Sequence, residues 1–575
     1  MERGHPEEYI VHAWGMWRRR SRRGYVVNLF TAAAVAVVAA VPGLSYAASH
    51  QSTQPSASPP ACSAGTLVPT KSGPVCGVTA SGLTSYLDIP FAAPPLGKLR
   101  WQAPQPVHSW TTAYQATERA PGCLSPNYPP GTVAAGTSEN CLYLEVQEPA
   151  NVRPGQKLPV MFEIHGGGFL GEARDDDGTN FVNSGPAIYV YAAYRLGIMG
   201  FLADQSLGPH SGDYGLQDQQ AALSWVKDNI AAFGGNPGNV TIFGESAGGA
   251  SVCDQIASPT AKGLFERGIS ISGYYNFDVN TIWSPADCKS TLQTEAQAQQ
   301  SGATFAAKVG CGNVPDVAAC LRAAPADTLV EDGGQFLDPS SGGAIGPIVN
   351  GTTLTMSASQ AFELGRVNHV KVIIGVGRDE FNGGIYANFP GHTIVADTTA
   401  EYQQMVQQQF GKFAPAVLRL YPVQRFPSPS AFIAYRTVMA DAASVCPSLQ
   451  SYSELARDLP LYVYEDDDAD SPGQTLPLGA NHSAINRLAH DVPSTLDPNQ
   501  LALQEQVLAE WTGFARTGLP TVPGTPTWTP FAAPGNPVMS LQAGGDSTLV
   551  SASSIAAQHN CQFWDAVNQT APWAS

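Results

Sequence analysis

Ser246 stands in Gly244-Glu245-Ser246-Ala247-Gly248, where an apolar β-type run, Val240 to Phe243, stops at a glycine and small residues suited to a helix start follow. A serine hydroxyl is a poor nucleophile until an adjacent base takes its proton, and that base needs a third group to fix its tautomer. In a Gly-x-Ser-x-Gly turn, small flanking residues tolerate a strained backbone that holds the hydroxyl out of the sheet. Downstream, Gly377-Arg378-Asp379-Glu380 ends another apolar strand and makes Glu380 the candidate acid. Gly479-Ala480-Asn481-His482 follows a later strand and makes His482 the candidate base, with His490, next to Asp491, as the alternative. The bland alternatives are a turn serine at 246 and a solvated loop pair at Asp379 and Glu380.

A bare Gly-x-Ser-x-Gly is a weak signal, because a chain with 57 glycines produces such matches by chance. The flanks are specific. Upstream stand Asp218-Gln219, then Ala222-Leu223-Ser224-Trp225-Val226, then Asn229-Ile230-Ala231-Ala232-Phe233-Gly234-Gly235-Asn236-Pro237. In these residues the chain resembles the type B carboxylesterase family, the esterase, lipase and cholinesterase branch of the α/β-hydrolases. The resemblance runs from about Cys76 to Trp564 and is densest between Cys141 and Gly249.

The resemblance implies an α/β-hydrolase fold, with a mostly parallel central sheet, helices on both faces and helical insertions over the active site. It implies hydrolysis of carboxylic esters through an acyl-enzyme, with Ser246, His482 and Glu380 as the triad in the chain order Ser, acid, His. His165-Gly166-Gly167-Gly168 resembles the family's oxyanion loop, in which the N–H groups of Gly167 and Gly168 join that of Ala247. A Cβ there would block the approach of substrate to backbone. Glu245 resembles a residue near the family's active-site floor, where its charge favours the imidazolium, and Arg195 with Asp218 and Arg100 with Glu139 resemble ion pairs of the fold. The chain departs from the family at Ile485, where an acidic residue usually stands three positions after the histidine. Between Cys123 and Cys141 the only aromatic residue is Tyr128, so the aromatic cage of cholinesterases is not expected. A non-catalytic binding protein on the same fold is the rival from another class. Such members lose a triad residue, whereas this chain keeps a candidate for each. With no clustered His/Cys spacing, phosphate loop or cofactor fingerprint, neither cofactor nor metal is expected; the expected partner is a small-molecule or lipid-like ester.

These residues need a sheet to carry them. Leu158 to Ile164 is a continuous apolar run, as a fully buried strand should be, and Ala187 to Ala193 reads as another; Leu264 to Ser272 returns as a strand, Val370 to Val376 is again an apolar strand, and Leu461 to Tyr464 is a late one. Leu216, Leu223, Val226, Ile230 and Phe233 fall at helical spacing, and a long helix is expected near 500–517. Residues near 62–100 read as short strands, and 274–365 and 385–455 as mainly helical insertions. Strands alternating with helices predict a sheet covered on both faces.

At 575 residues the chain can bury a large core, and 43% apolar with 13% charged residues describes a globular protein. Its net charge of −17 argues against nucleic-acid and anionic-membrane partners. Arg18-Arg19-Arg20-Ser21-Arg22-Arg23, an apolar run from Tyr25 to Val41 and the small-residue site Ser45-Tyr46-Ala47-Ala48 compose a secretory signal peptide over 1–47. The alternative, a membrane anchor, fits less well because the run is short and ends in Pro42-Gly43. Residues 48–61 read as a disordered leader, and 62–575 as the hydrolase domain. Ten cysteines suit disulfides in a secreted chain. The family resemblance implies Cys123 with Cys141, Cys311 with Cys320 and Cys446 with Cys561. Cys62 with Cys76 and Cys253 with Cys288 are left over, with Cys253 equally readable as a buried free thiol.

Overall fold

The computed structural model describes residues 62–570 apart from 128–131, 154, 173–176, 274–287, 289–291, 336–345, 383–395, 397, 470 and 473–475. The signal peptide, the leader and Tyr128 lie outside the described residues. Residues 61–575 form one unit.

Its frame is an 11-stranded sheet. In chain order the strands are β1 (Val78–Ala80), β2 (Leu83–Pro90), β3 (Tyr143–Pro149), β4 (Leu158–Ile164), β5 (Ile188–Ala192), β6 (Gly235–Glu245), β7 (Arg267–Ile271), β8 (Lys371–Gly377), β9 (Leu461–Asp466), β10 (Pro537–Leu541) and β11 (Thr548–Ser551). Across the sheet they run β11-β10-β9-β8-β7-β6-β4-β5-β3-β2-β1. The strands from β10 to β5 in that order are parallel, while β11 at one edge and β3, β2 and β1 at the other are antiparallel. The apolar runs correspond to these central strands, because a strand buried on both faces has no polar side to alternate with.

Alternation survives as a division between two cores. Val160, Phe162 and Ile164 join one apolar cluster and Met161 the other; Val372, Ile374 and Val376 divide from Ile373 in the same way. The first cluster is completed by α1 (Tyr214–Asn229) and α2 (Ala247–Ala257). The second is completed by α3 (Ala484–His490) and α4 (Pro498–Thr517), with Trp511 and Phe514 fully buried. A capping box at Asp497 and Gln500 starts α4, and Gly518 at φ 75° ends it.

Both expected insertions are helical where described. The first holds Glu295–Lys308, Val317–Ala323, Ala326–Gln335 and Ala358–Glu363; the second holds Thr399–Phe410, Ala414–Leu420, Ser430–Ala440 and Cys446–Leu455. The second has its own apolar cluster, shared with the C-terminal helix Cys561–Thr570.

Five disulfides join all ten cysteines: 62–76, 123–141, 253–288, 311–320 and 446–561. Cys253 is therefore no free thiol; it ties α2 to Cys288 beyond β7. Cys62–Cys76 closes on an antiparallel hairpin in which Leu67 pairs with Cys76. Among the described residues no helix is long and apolar enough to cross a membrane.

Candidate active site

Strand β6 carries Ser246 to the C-terminal edge of the sheet, and α2 begins at the next residue. The Ser246 backbone takes φ 56° and ψ −122°, and such sparsely populated geometry costs about 1–3 kcal/mol unless its surroundings enforce it. Here they do. The Ser246 N–H donates to Ile271 O at 3.0 Å, and the Ser246 carbonyl accepts from the Ala250 N–H at 2.9 Å. A Cβ built on Gly244 would stand 2.4 Å from Ile164 O, so the strand and the turn meet without room for a side chain. Glu245 and Ala247 are buried while Ser246 is half-buried, which leaves the serine as the residue the turn presents.

Glu380 and His482 lie on separate loops, following β8 and β9, that are pinned together through their backbones. Asp379 N–H donates to Ala480 O at 3.0 Å, and His482 N–H donates to Glu380 O at 2.9 Å. This pairing seats Glu380 Oε1 on His482 Nδ1 in a short hydrogen bond. Glu380 Oε2 accepts from Gly377 N–H at 2.7 Å and from the Ser272 hydroxyl at 3.1 Å. Both residues are buried, and a carboxylate so held fixes the orientation of the ring it touches. At the opposite edge of the ring, Nε2 lies 3.0 Å from Glu245 Oε1, on the residue just before Ser246. The imidazole thus spans from the acid to the nucleophile turn.

His490 is placed elsewhere. Its Nδ1 is 3.0 Å from Asn486 O, its Nε2 is 3.5 Å from Glu163 Oε2, and its ring lies 5.1 Å from that of Phe181 in the second apolar cluster.

The glycine loop after β4 leans on the same turn. A Cβ at Gly166 would come within 2.8 Å of Glu245 O and 3.3 Å of Ser246 Cβ. Gly167 and Gly168 take φ 103° and 64°, which only glycine adopts freely. Gly167 is exposed and Gly168 half-buried. Ala247 opens α2, and a first-turn N–H has no intrahelical acceptor. His165 anchors the base of the loop, stacked 4.2 Å from Tyr194, whose hydroxyl donates to His165 O at 2.9 Å.

Comparison with known proteins gives the family. The profile of the carboxylesterase family matches residues 64–564. The chain belongs to the carboxylesterase family. It is 30% identical to a cholinesterase of Mus musculus over 544 residues, covering 87% of this chain and 86% of that one. It is 34% identical to a fumonisin B1 esterase of Sphingopyxis macrogoltabida over 362 residues, 61% of this chain and 62% of that one. A cocaine esterase of Oryctolagus cuniculus is 30% identical over 492 residues, 79% of this chain and 86% of that one. The protein is accordingly a carboxylic-ester hydrolase on an α/β-hydrolase fold.

The electrostatics of the carboxylesterase site centre on His482. Burial disfavours its imidazolium, but the Glu245 and Glu380 carboxylates outweigh that and raise its pKa above the usual 6.5. Burial pushes the Glu245 carboxyl up; the His482 charge and the Ser483 hydroxyl oppose the rise without cancelling it.

The ion pairs expected of the fold are present: Arg195 grips Asp218 at 2.7 and 2.8 Å, and Arg100 grips Glu139 at 2.5 and 2.8 Å. Both are two-point contacts, the geometry in which guanidinium and carboxylate bind most strongly. Two polar contacts were not read from the sequence, those of Ser272 and Ser483. Ser272 had a usable signal, because it is the polar residue at the C-terminal end of a buried strand, where sites of open α/β sheets lie. Ser483 carried no such mark.

Proposed function

We propose that this carboxylesterase is an exported serine hydrolase working through Ser246, His482 and Glu380. The observation that carries the reading is the single imidazole with Glu380 on Nδ1 and the nucleophile turn on its Nε2 side. In the proposed cycle the Ser246 hydroxyl attacks the ester carbonyl as His482 Nε2 takes its proton. The negative oxygen is received by the N–H groups of Gly167, Gly168 and Ala247, donors that need no reorganisation at the moment of reaction. His482 then returns the proton to the departing alcohol, and water hydrolyses the acyl-Ser246 by the same path. Glu380 on Nδ1 holds the ring in one tautomer.

Export is supported by the basic-apolar-small pattern of residues 1–47 and by the pairing of all ten cysteines, which suits an oxidising compartment. The domain limits proposed are 1–47 for the signal, 48–61 for the leader and 62–575 for the hydrolase. The substrate proposed is a small or lipid-like carboxylic ester.

The test is Ser246→Ala together with labelling by an organophosphate. The variant is expected to lose roughly three orders of magnitude or more in kcat/KM while keeping its fold, and the wild type to be labelled on Ser246. Label on another serine, or an active variant, overturns the assignment. A series of p-nitrophenyl esters of rising acyl length then defines the acyl preference.

A further inference from the structure

Ser483 follows the proposed base directly and begins α3 in the left-handed region, at φ 65° and ψ 4°. This backbone aims its side chain away from α3. Instead of capping that helix, its hydroxyl donates to Glu245 Oε1 at 2.5 Å, the same oxygen that lies 3.0 Å from His482 Nε2. The other Glu245 oxygen faces the glycine loop, where a Cβ on Gly166 would stand 2.8 Å from it. The carboxylate is therefore bracketed by the oxyanion loop on one side and by two consecutive residues, His482 and Ser483, on the other. Ile485 is buried in the apolar cluster with Leu488 and Trp511 and offers Glu245 no polar atom.

We propose that Ser483 is a positioning residue for the hydrolysis: its hydroxyl keeps the Glu245 carboxylate ionised and seated against His482 Nε2, and so sets the pH at which the base becomes available. The proposal rests on His482 being that base. A buried carboxylate without a donor takes up a proton, because desolvation penalises its charged form. A hydroxyl donor opposes this, because a hydrogen bond to the charged form favours that form. With the anion in place the imidazolium is favoured, both in the resting enzyme and when His482 has taken the serine proton. Without it, His482 gives up its proton at lower pH and stabilises the transition state less.

Other ionisable groups surround this pair. On α3, Arg487 donates to Asn481 Oδ1 at 3.1 Å. Glu380 faces the opposite edge of the ring. Tyr464 and Asp466 on β9 are held well above their usual values, chiefly by burial, and burial likewise raises Tyr452 of the second insertion. Glu245 is left as the group whose charge the Ser483 hydroxyl can govern.

The experiment is the pH profile of kcat/KM for an activated ester with Ser483→Gly, Ser483→Ala, Glu245→Gln and the Ser483→Gly/Glu245→Gln pair. Glycine accepts φ 65° without strain, so Ser483→Gly removes the hydroxyl and leaves the backbone free to keep its path. The acid limb is expected to move about one pH unit toward acid in both Ser483 variants, with a several-fold lower plateau. Glu245→Gln is expected to move it the same way by at least as much, and Ser483→Gly is expected to add no further shift in that background. An unmoved acid limb in folded Ser483→Gly, or shifts that add in the pair, overturns the proposal, since a merely structural serine would lower the rate at all pH values alike. His482→Ala distinguishes the two levels. An active His482→Ala variant removes the base assignment itself, whereas an inactive one beside an unmoved limb removes only the role of Ser483.

Discussion

Gly248 lies so close to Ile164 that a Cβ built on it would stand 1.9 Å from the Ile164 carbonyl oxygen. The first turn of α2 thus presses on the strand end that leads into the glycine loop, and the proposed nucleophile and the proposed oxyanion donors are spaced by a backbone contact. Gly248→Ala should cost about 3 kcal/mol, at the upper end for overpacking, because backbone cannot rotate away as a side chain can. It should also lower kcat by separating the two parts. Gly238→Ala, which meets only Asn236 Oδ1 at 3.5 Å, is the control. Urea midpoints and kcat for both variants check this; equal behaviour would remove the spacing role.

The two candidate histidines should separate cleanly. His482→Ala is expected to fall about as far as Ser246→Ala, because triad members act as a unit, by roughly three orders of magnitude. His490→Ala should keep most of its rate but lose about 1–3 kcal/mol of stability, since buried Glu163 loses the ring nitrogen 3.5 Å from its Oε2. A dead His490 variant beside an active His482 variant would reverse the assignment.

Activity and stability should respond to pH with opposite signs at His482. Its pKa is raised on folding, so kcat/KM should fall as pH drops through a value above 6.5, where the imidazolium no longer accepts a proton. The same charge interactions stabilise the fold most fully below the unfolded value near 6.5, and that contribution is lost as pH rises through the folded one. His559, raised well above 6.5 because Asp441 and Glu465 outweigh its burial, has the same sign. The contribution of His482 is therefore read as the difference in melting temperature between wild type and His482→Gln. That difference should be larger in mild acid than in alkali; a difference independent of pH would contradict the raised pKa.

Non-reducing peptide mapping should recover the five pairs 62–76, 123–141, 253–288, 311–320 and 446–561, with no free thiol. Their sequence separations run from 9 at Cys311–Cys320 to 115 at Cys446–Cys561. On loop-closure entropy, replacing both cysteines should cost about 2.6 kcal/mol at the first and about 4.8 kcal/mol at the second. Denaturant unfolding of the two double-alanine variants measures the order, and the reverse order would show that native-state strain outweighs loop length.

The chain alone determined what depends on local pattern. Unbroken apolar runs marked the central strands because both faces of those strands are buried, and β4 was legible from Leu158 to Ile164. The strand-to-helix turn at Ser246 was legible because such a turn needs glycines at fixed spacing around it. Strands β3, β10 and β11 were not read: β3 is largely buried, but Glu145, Gln147 and Glu148 break its apolar run, β10 is only five residues long, and β11 is short and at most half-buried. Tertiary structure alone decided how distant loops meet. Hydrogen bonds between the Asp379–Glu380 and Ala480–His482 backbones bring His482, and not His490, to Glu380, although both histidines follow β9. The same folding gave Ser272 and Ser483 their partners and joined Cys253 to Cys288. The physical reason is range: turn geometry and hydrophobic periodicity act over a few neighbouring residues, whereas a hydrogen bond or disulfide between loops exists only once the sheet has brought them within a few ångströms.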